Sequence, residues 1–140
     1  MPYTKIWIHI IWTTKNREKI ISKKMKVSLL DHIRKNARSK DIFIDILNCT
    51  QDHIHLLISL GREQTISKTV MLLKGESSHW VNKSKLIPGK FEWQDEYIAV
   101  SVSESAVNKV RDYISNQEEH HRNKTFEEEY RQFLKKYGFC

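Results

Sequence analysis

The ten residues Gln51-Asp-His-Ile-His-Leu-Leu-Ile-Ser-Leu60 decide the fold, because they combine a strand pattern with two histidines. Side chains two positions apart on a β-strand point to the same face, so His53 and His55 share one face. The apolar residues that alternate with them share the other: Ile54, Leu56 and Ile58. Two neutral imidazoles side by side can bind a divalent metal ion. By itself the pattern also fits a pair of polar surface residues.

The length and charge indicate one basic domain that spans residues 1–140. The formal net charge is +7, and it is uneven along the chain. Residues 1–41 hold 11 Lys and Arg against 3 Asp and Glu, whereas residues 92–140 hold 7 against 10. A basic N-terminal region is expected if one surface meets a polyanion such as nucleic acid. A solvated lysine-rich helix explains the same charge.

The two cysteines, Cys49 and Cys140, do not form a Cys-x-x-Cys pair. This excludes a disulfide scaffold and a cysteine zinc site, and it fits a reducing cytosol. No apolar run reaches 18 residues, and the apolar N-terminus lacks the basic start of a signal peptide. We therefore expect a cytoplasmic protein, nucleoid-associated if its basic region meets nucleic acid.

Hydrophobic periodicity predicts an α+β fold. The predicted elements are a strand at 3–14, a helix at 22–39, a strand at 42–49, the histidine strand, a helix at 65–80, an extended segment at 91–103 and helices at 104–121 and 125–137. This order predicts a ferredoxin-like split β-α-β fold, with a four-stranded antiparallel sheet, helices on one face and a C-terminal tyrosine-bearing helix. Ser22 and Thr125 are predicted N-caps.

Some side chains can be placed within these elements. On the 65–80 helix, Val70 and Leu73 are predicted to face the core with Met71 as a further candidate, whereas Ser77 is predicted to lie elsewhere. His9, on the first strand, is predicted to be packed or hydrogen-bonded.

A second motif lies on the predicted helix at 104–121. Tyr113 and Gln117 are four residues apart and share one side of it, and His121 continues their stripe. A tyrosine there could act as a covalent nucleophile, and an amide oxygen could complete a metal site with His53 and His55. A mixed nitrogen and oxygen site suits Mg²⁺ or Mn²⁺. A half-buried packing role for Tyr113 remains open.

The chain resembles the single-tyrosine HUH transposases of small bacterial and archaeal insertion sequences, the IS200-like family, and their REP-associated relatives. The resemblance covers nearly the whole chain. Its motifs are His9-Ile-Ile-Trp-Thr-Thr-Lys-Asn-Arg17, Asp52-His-Ile-His-Leu-Leu-Ile58, Leu73-Lys-Gly-Glu-Ser-Ser78, Trp93-Gln-Asp-Glu-Tyr97 and Tyr113-Ile-Ser-Asn-Gln-Glu-Glu-His-His121.

The resemblance implies that the chain cleaves and rejoins single-stranded DNA through a 5′-phosphotyrosine. Tyr113 matches the nucleophile, His53 and His55 match the metal ligands, and Gln117 matches the residue that joins the metal site, which would hold Mg²⁺ or Mn²⁺. It also implies hairpins at the element ends as partners, and a homodimer in which the histidine pair and the tyrosine can come from different subunits. The residues expected on DNA are Lys15, Arg17, Lys23, Arg34, Lys35, Arg38 and Lys74.

The sequence also has to be compared with several alternative interpretations of its tyrosines and histidines. Tyr97 and Tyr130 are predicted to be core residues rather than nucleophiles. Histidine-triad hydrolases need a third histidine where Leu57 stands, and two-histidine phosphoesterases need two His-x-Ser/Thr motifs, which the sequence lacks. A replication initiator or relaxase shares the histidine pair and the tyrosine. A non-catalytic or domesticated nucleic-acid-binding protein would explain the charge, Trp7 and Phe43, but not why the residues of both motifs occur together.

Overall fold

The sheet has four antiparallel strands in the order β2-β3-β1-β4 in a computed structural model, which describes residues 2–117 and 125–139. The strands are β1 (Trp7–Thr13), β2 (Phe43–Cys49), β3 (His53–Ser59) and β4 (Ile98–Val102). The histidine strand β3 is central and pairs with β1 and β2, and β2 and β3 form an antiparallel hairpin. The predicted α+β fold with a four-stranded antiparallel sheet is confirmed.

Helices cover both faces of this sheet. They are α1 (Lys23–Ser39), α2 (Ile66–Ser84), α3 (Val107–Ser115) and α4 (Phe126–Lys136), with short 3₁₀ turns at Lys15–Arg17 and Glu104–Ala106. The main core lies between α1, α2 and the face of β3 that carries Ile54, Leu56 and Ile58. Two smaller apolar clusters lie on the histidine face, one under α3 and one under α4. The tyrosine helix therefore packs on the face opposite α1 and α2.

Both predicted N-caps are present, and α2 has an N-cap as well. The Ser22 hydroxyl accepts a hydrogen bond from the Met25 amide at 3.1 Å. Thr65 and Thr125 cap α2 and α4 in the same way, at 3.2 Å each. These hydroxyls satisfy amide groups that have no partner inside the helix, so they fix where each helix begins.

Several predicted boundaries were wrong. The strand predicted at 3–14 begins only at Trp7, and the helix predicted at 65–80 continues to Ser84. The helix predicted at 104–121 starts with a 3₁₀ turn, and α3 begins at Val107. Its predicted end, with His121, lies outside the described residues.

Three predicted burials were also wrong. Met71 is 62% exposed and Tyr97 is 38% exposed, so neither is a core residue. Ser77 is buried, because it continues the Val70 and Leu73 stripe one turn further along α2. Its hydroxyl accepts a hydrogen bond from Trp93 Nε1 at 2.8 Å, so the helix uses a polar atom at a core position. Within the described part of the chain, no helix is both long and apolar enough to cross a membrane.

Candidate active site

The two histidines of β3 lie on one face of the sheet, as predicted. Strand β1 pairs with β3 so that Ile11 lies opposite His55 and His9 lies opposite Leu57. His9 is therefore a diagonal neighbour of His55 on the same face, and the two rings lie 5.2 Å apart. His53 and His55 are both 0% exposed, which rules out the alternative of a polar surface pair.

Polar groups of the β2–β3 hairpin contact Nδ1 of His53 and so fix the orientation of its ring. Its Nδ1 lies 2.7 Å from Asp52 Oδ1 and 2.8 Å from the Thr50 hydroxyl. If Nδ1 carries the proton and donates a hydrogen bond to Asp52, the lone pair of Nε2 points into the site. A carboxylate behind a ligating histidine is the usual support of a metal-binding imidazole. The Nε2 atom lies 3.4 Å from Gln117 Oε1.

His55 is supported by His9. His9 Nε2 lies 3.0 Å from His55 Nδ1, and His55 Nε2 lies 3.2 Å from Glu129 Oε1. Burial, with a further contribution from His55, lowers the pKa of His9 to about 3, so His9 is neutral at neutral pH. A neutral His9 can accept a hydrogen bond from His55 Nδ1–H, which leaves His55 Nε2 as the nitrogen available to a metal.

Tyr113 reaches the same place from α3. Its ring lies edge-on to His55 with centroids 5.7 Å apart, and its hydroxyl donates a hydrogen bond to Glu129 Oε1. Burial and this hydrogen bond raise the pKa of Tyr113, so the hydroxyl is protonated. Tyr113 thus faces the histidine pair of its own chain.

Gln117 completes the predicted stripe. The side chain is fully buried, its Oε1 faces His53, and its Nε2 donates to the Tyr113 carbonyl oxygen at 3.2 Å. The spacing of four between Tyr113 and Gln117 therefore brings both residues to the histidine pair, although the described part of α3 ends at Ser115. All four residues proposed for chemistry converge within one chain.

Glu129 is a site residue that the sequence analysis missed. It is 7% exposed, and it forms with His53 and His55 a group whose ligand atoms lie within 4.8 Å of one another. Burial alone would raise the pKa of Glu129, but the hydrogen bond and charge of His55, together with smaller contributions from Tyr113 and His53, outweigh burial and hold the pKa at about 2. A signal existed in the sequence, since Glu129 lies three residues after Phe126 and four before Phe133. A carboxylate on that apolar stripe has to be buried with a partner.

The seven basic residues predicted to bind DNA lie on three separate surfaces. Arg17 and Lys23 line a groove of about 640 Å³ near the start of α4, together with Lys19 and Lys26. The Arg17 guanidinium also lies 5.4 Å from the ring centroid of Phe126. This groove borders Asp52, the residue that orients His53, so these cations are close to the site.

The other five lie on two other surfaces. Lys15 and Lys74 line a separate cavity of about 590 Å³. Lys15 pairs with Glu92 at 2.9 Å, and Lys74 donates to the backbone oxygens of Gln94 and Asp95. Burial lowers the pKa of Lys74. The remaining three lie on α1, across the sheet from the histidine pair: Arg34, Lys35 and Arg38.

Comparison with known proteins identifies the family. Residues 2–117 match the family model described as "Transposase IS200 like". The chain belongs to the IS200-like transposase family. This transposase is 30% identical over 115 residues to the ISDra2 transposase TnpA of Deinococcus radiodurans, a match that covers 78% of the chain and 81% of that relative. The resemblance seen in the sequence is therefore confirmed.

Solved structures share the fold of the transposase. A candidate transposase from Deinococcus radiodurans R1 is 27% identical with a TM-score of 0.68, over 83% of this chain and 93% of that one. A REP-associated tyrosine transposase, solved bound to a REP hairpin, has a TM-score of 0.65 over 86% of this chain and 72% of that one. At 17% identity the second likeness shows the fold alone. Helix α4, which carries Glu129, lies beyond the residues that match the family model.

Proposed function

We propose that this transposase cleaves and rejoins single-stranded DNA at hairpin-marked element ends through a covalent 5′-phosphotyrosine at Tyr113. The observation that supports this most directly is the convergence of Tyr113, Gln117 and Glu129 on the His53–His55 pair within one chain. A nucleophile beside a cluster of metal-ligating groups is the arrangement that phosphoryl transfer requires.

The reaction needs no cofactor beyond a metal ion. The Tyr113 oxygen attacks the scissile phosphorus while the bond to the 3′ oxygen breaks, which leaves a 5′-phosphotyrosine and a free 3′-OH. The proton of the tyrosine hydroxyl is available to protonate the departing 3′ oxygen. A 3′-OH of another strand then attacks the phosphotyrosine and restores a phosphodiester. Because the phosphotyrosine keeps the bond energy, rejoining needs no ATP.

The donor set fits Mg²⁺ or Mn²⁺. His53 Nε2 and His55 Nε2 would hold the ion, with oxygens from Gln117 and Glu129. The structure brings these donors together: His55 Nε2 lies 3.2 Å from Glu129 Oε1, and His53 Nε2 lies 3.4 Å from Gln117 Oε1. Imidazole nitrogens mixed with carbonyl and carboxylate oxygens are donors that such ions accept. The bound ion would polarise a phosphoryl oxygen and stabilise the charge that develops during attack.

The surrounding residues prepare the site for this chemistry. Asp52 and Thr50 fix the ring of His53, and His9 fixes the ring of His55, so that both Nε2 atoms face inward. Glu129 accepts the hydrogen bond of the Tyr113 hydroxyl and so holds the nucleophilic oxygen next to the histidine pair. Preorganised groups of this kind lower the cost of reaching the transition state.

DNA hairpins are the proposed partners. The groove lined by Arg17, Lys19, Lys23 and Lys26 lies beside the site and can contact hairpin phosphates. The predicted cations on α1 and around Lys74 lie on other surfaces, so any contact they make with DNA would be separate from this groove. Phosphate contacts should make affinity fall as salt rises. We further propose a cytoplasmic homodimer, with Tyr113 serving the histidine pair of its own subunit in the arrangement described above.

Adduct formation tests the proposed function. The protein would be incubated with labelled single strands that carry hairpins from its genomic flanks, with Mn²⁺, Mg²⁺ or EDTA, and analysed on denaturing gels. A metal-dependent protein–DNA adduct that is lost in both Tyr113→Phe and His55→Ala would support the proposal. An adduct that survives Tyr113→Phe would assign the nucleophile elsewhere. Tight hairpin binding without any adduct from the wild type would indicate a domesticated binding protein.

A further inference from the structure

A cleft of about 700 Å³ lies between α3 and α4, beside the end of β4. We name it the strand cleft, and it is lined by Tyr113, Glu129, Lys109, Phe133, Lys136 and Tyr137 among others. We propose that the strand cleft binds the unpaired DNA segment next to the scissile phosphate, with Lys109 and Lys136 contacting phosphates there. This inference rests on the proposed function, because it names the path by which the substrate reaches Tyr113.

Access to the nucleophile favours this path. His53 and His55 are fully buried, and Phe126 covers His53 with ring centroids 4.1 Å apart. A phosphate therefore has to approach Tyr113 from a side that the sheet and Phe126 do not cover. The strand cleft opens on Tyr113 and Glu129 directly, so it provides that approach.

The lining of the cleft suits single-stranded nucleic acid. Lys109 and Lys136 are both exposed and supply positive charge from the two helices that form its walls. Phe133 and Tyr137 supply aromatic rings, with centroids 4.8 Å apart. Cations that follow the backbone and aromatic rings that stack on unpaired bases are the two features of single-strand binding sites. Paired bases stack on each other, so the aromatic rings favour an unpaired segment.

The strand cleft is distinct from the surface proposed for the hairpin. The groove that contains Arg17 and Lys23 meets α4 at Thr125, Phe126 and Glu127, whereas the cleft meets α4 from Glu129 to Tyr137. Substitutions in the cleft should therefore weaken binding of a plain single strand more than binding of a hairpin. That difference allows the two contributions to be measured separately.

The test uses a fluorescein-labelled dT15 oligonucleotide and a double variant, Lys109→Gln with Lys136→Gln. Each phosphate contact on a single strand contributes about 0.7 to the slope of log K against log salt. We expect the double variant to bind dT15 more weakly, with a slope smaller by about 1.4. Lys109→Arg with Lys136→Arg should keep the wild-type slope, because it keeps both charges.

A matched control is Lys83→Gln with Lys135→Gln, which removes two exposed lysines from α2 and α4 that do not line the cleft. This control should bind dT15 with a wild-type slope. Photo-cross-linking of a dT15 that contains bromouracil should also label peptides of α3 or α4. An unchanged slope in the cleft variant, or cross-links confined to α1, would overturn the proposal.

Failure of this inference can be told apart from failure of the proposed function. If hairpin substrates form the Tyr113 adduct while the cleft variant keeps the wild-type slope and adduct rate, only the strand cleft is wrong. If the wild type forms no adduct but the cleft variant loses dT15 binding, the cleft binds DNA and the catalytic proposal is wrong.

Discussion

Arg111 of α3 binds Asp45 of β2 through two parallel hydrogen bonds, from Nε to Oδ1 and from Nη2 to Oδ2, each 2.7 Å long. One turn further along α3, Asn48 of the same strand donates to the Ile114 carbonyl oxygen at 2.8 Å. These contacts flank Tyr113, so they fix the tyrosine helix to the sheet of its own chain. Two parallel hydrogen bonds between a planar guanidinium and a carboxylate fix the relative orientation of the two groups as well as the distance between them.

Breaking this pair should misplace the nucleophile. We expect Arg111→Gln to slow adduct formation about ten- to a hundredfold, because small displacements of a reacting group have effects of that size. Mn²⁺ affinity, measured by calorimetry, should fall much less than the adduct rate, since His53, His55 and Glu129 do not depend on α3 for their positions. Arg111→Lys should recover little, because lysine cannot form the two-bond fork. An equal loss of metal affinity would instead indicate a general loss of folding.

A mixing experiment tests which subunit supplies the tyrosine. The Tyr113→Phe protein and the His55→Ala protein would be mixed, refolded together so that mixed dimers can form, and assayed for adducts. Because Tyr113 lies against His55 of its own chain, we expect the mixture to stay inactive. Activity restored to about a quarter or more of wild type would show that the tyrosine serves the partner's histidine pair.

Glu129 should contribute to metal binding. We expect Glu129→Ala to weaken Mn²⁺ binding about tenfold or more, as loss of a metal-supporting group does in other sites. Glu128→Gln is the matched control, since Glu128 is exposed on the same helix and should bind Mn²⁺ normally. Electron paramagnetic resonance of bound Mn²⁺ reports this without any DNA. Wild-type affinity in Glu129→Ala would remove Glu129 from the ligand set.

Stability should fall in mild acid because of His9. Its pKa is about 3 in the folded protein and about 6.5 when unfolded. Between these two pH values the unfolded chain therefore binds more protons than the folded protein. The stability that a neutral His9 contributes is fully present above pH 6.5 and is lost progressively as the pH falls towards 3. Between pH 7.5 and 5 the loss is about 2 kcal/mol.

Urea unfolding in EDTA measures this dependence. His9→Gln places an amide where His9 Nε2 lies and cannot be protonated, so its stability should decline less over that range. Glu129 has a lowered pKa, so its contribution is lost only below about pH 4.5 and does not interfere. Parallel curves for wild type and His9→Gln would contradict the assignment.

Much of the site could be predicted because it depends on local spacing. The two-residue period of a strand placed His53 and His55 together, and the helical period placed Gln117 below Tyr113. The apolar stripe of α4 indicates that Glu129 is buried, but the place where α4 docks on the sheet follows from no local pattern, so its pairing with the histidines was missed. In the sequence, the basic residues were predicted to form one DNA-binding surface. The fold divides them among three surfaces, because α1 packs on the face of the sheet opposite His53 and His55.

The two faces of the sheet are completed at different times during synthesis. The core under α1 and α2 is built from residues between Ile8 and Trp93, whereas α3 and α4 on the histidine face follow later in the chain. Because the earlier part of a chain can fold while the rest is still being made, a nascent chain can hold a stable sheet before it has a nucleophile. A ribosome-bound chain that has not yet released α3 and α4 would therefore carry the histidine pair without Tyr113 and Glu129, and the proposed site would be complete only in the finished protein.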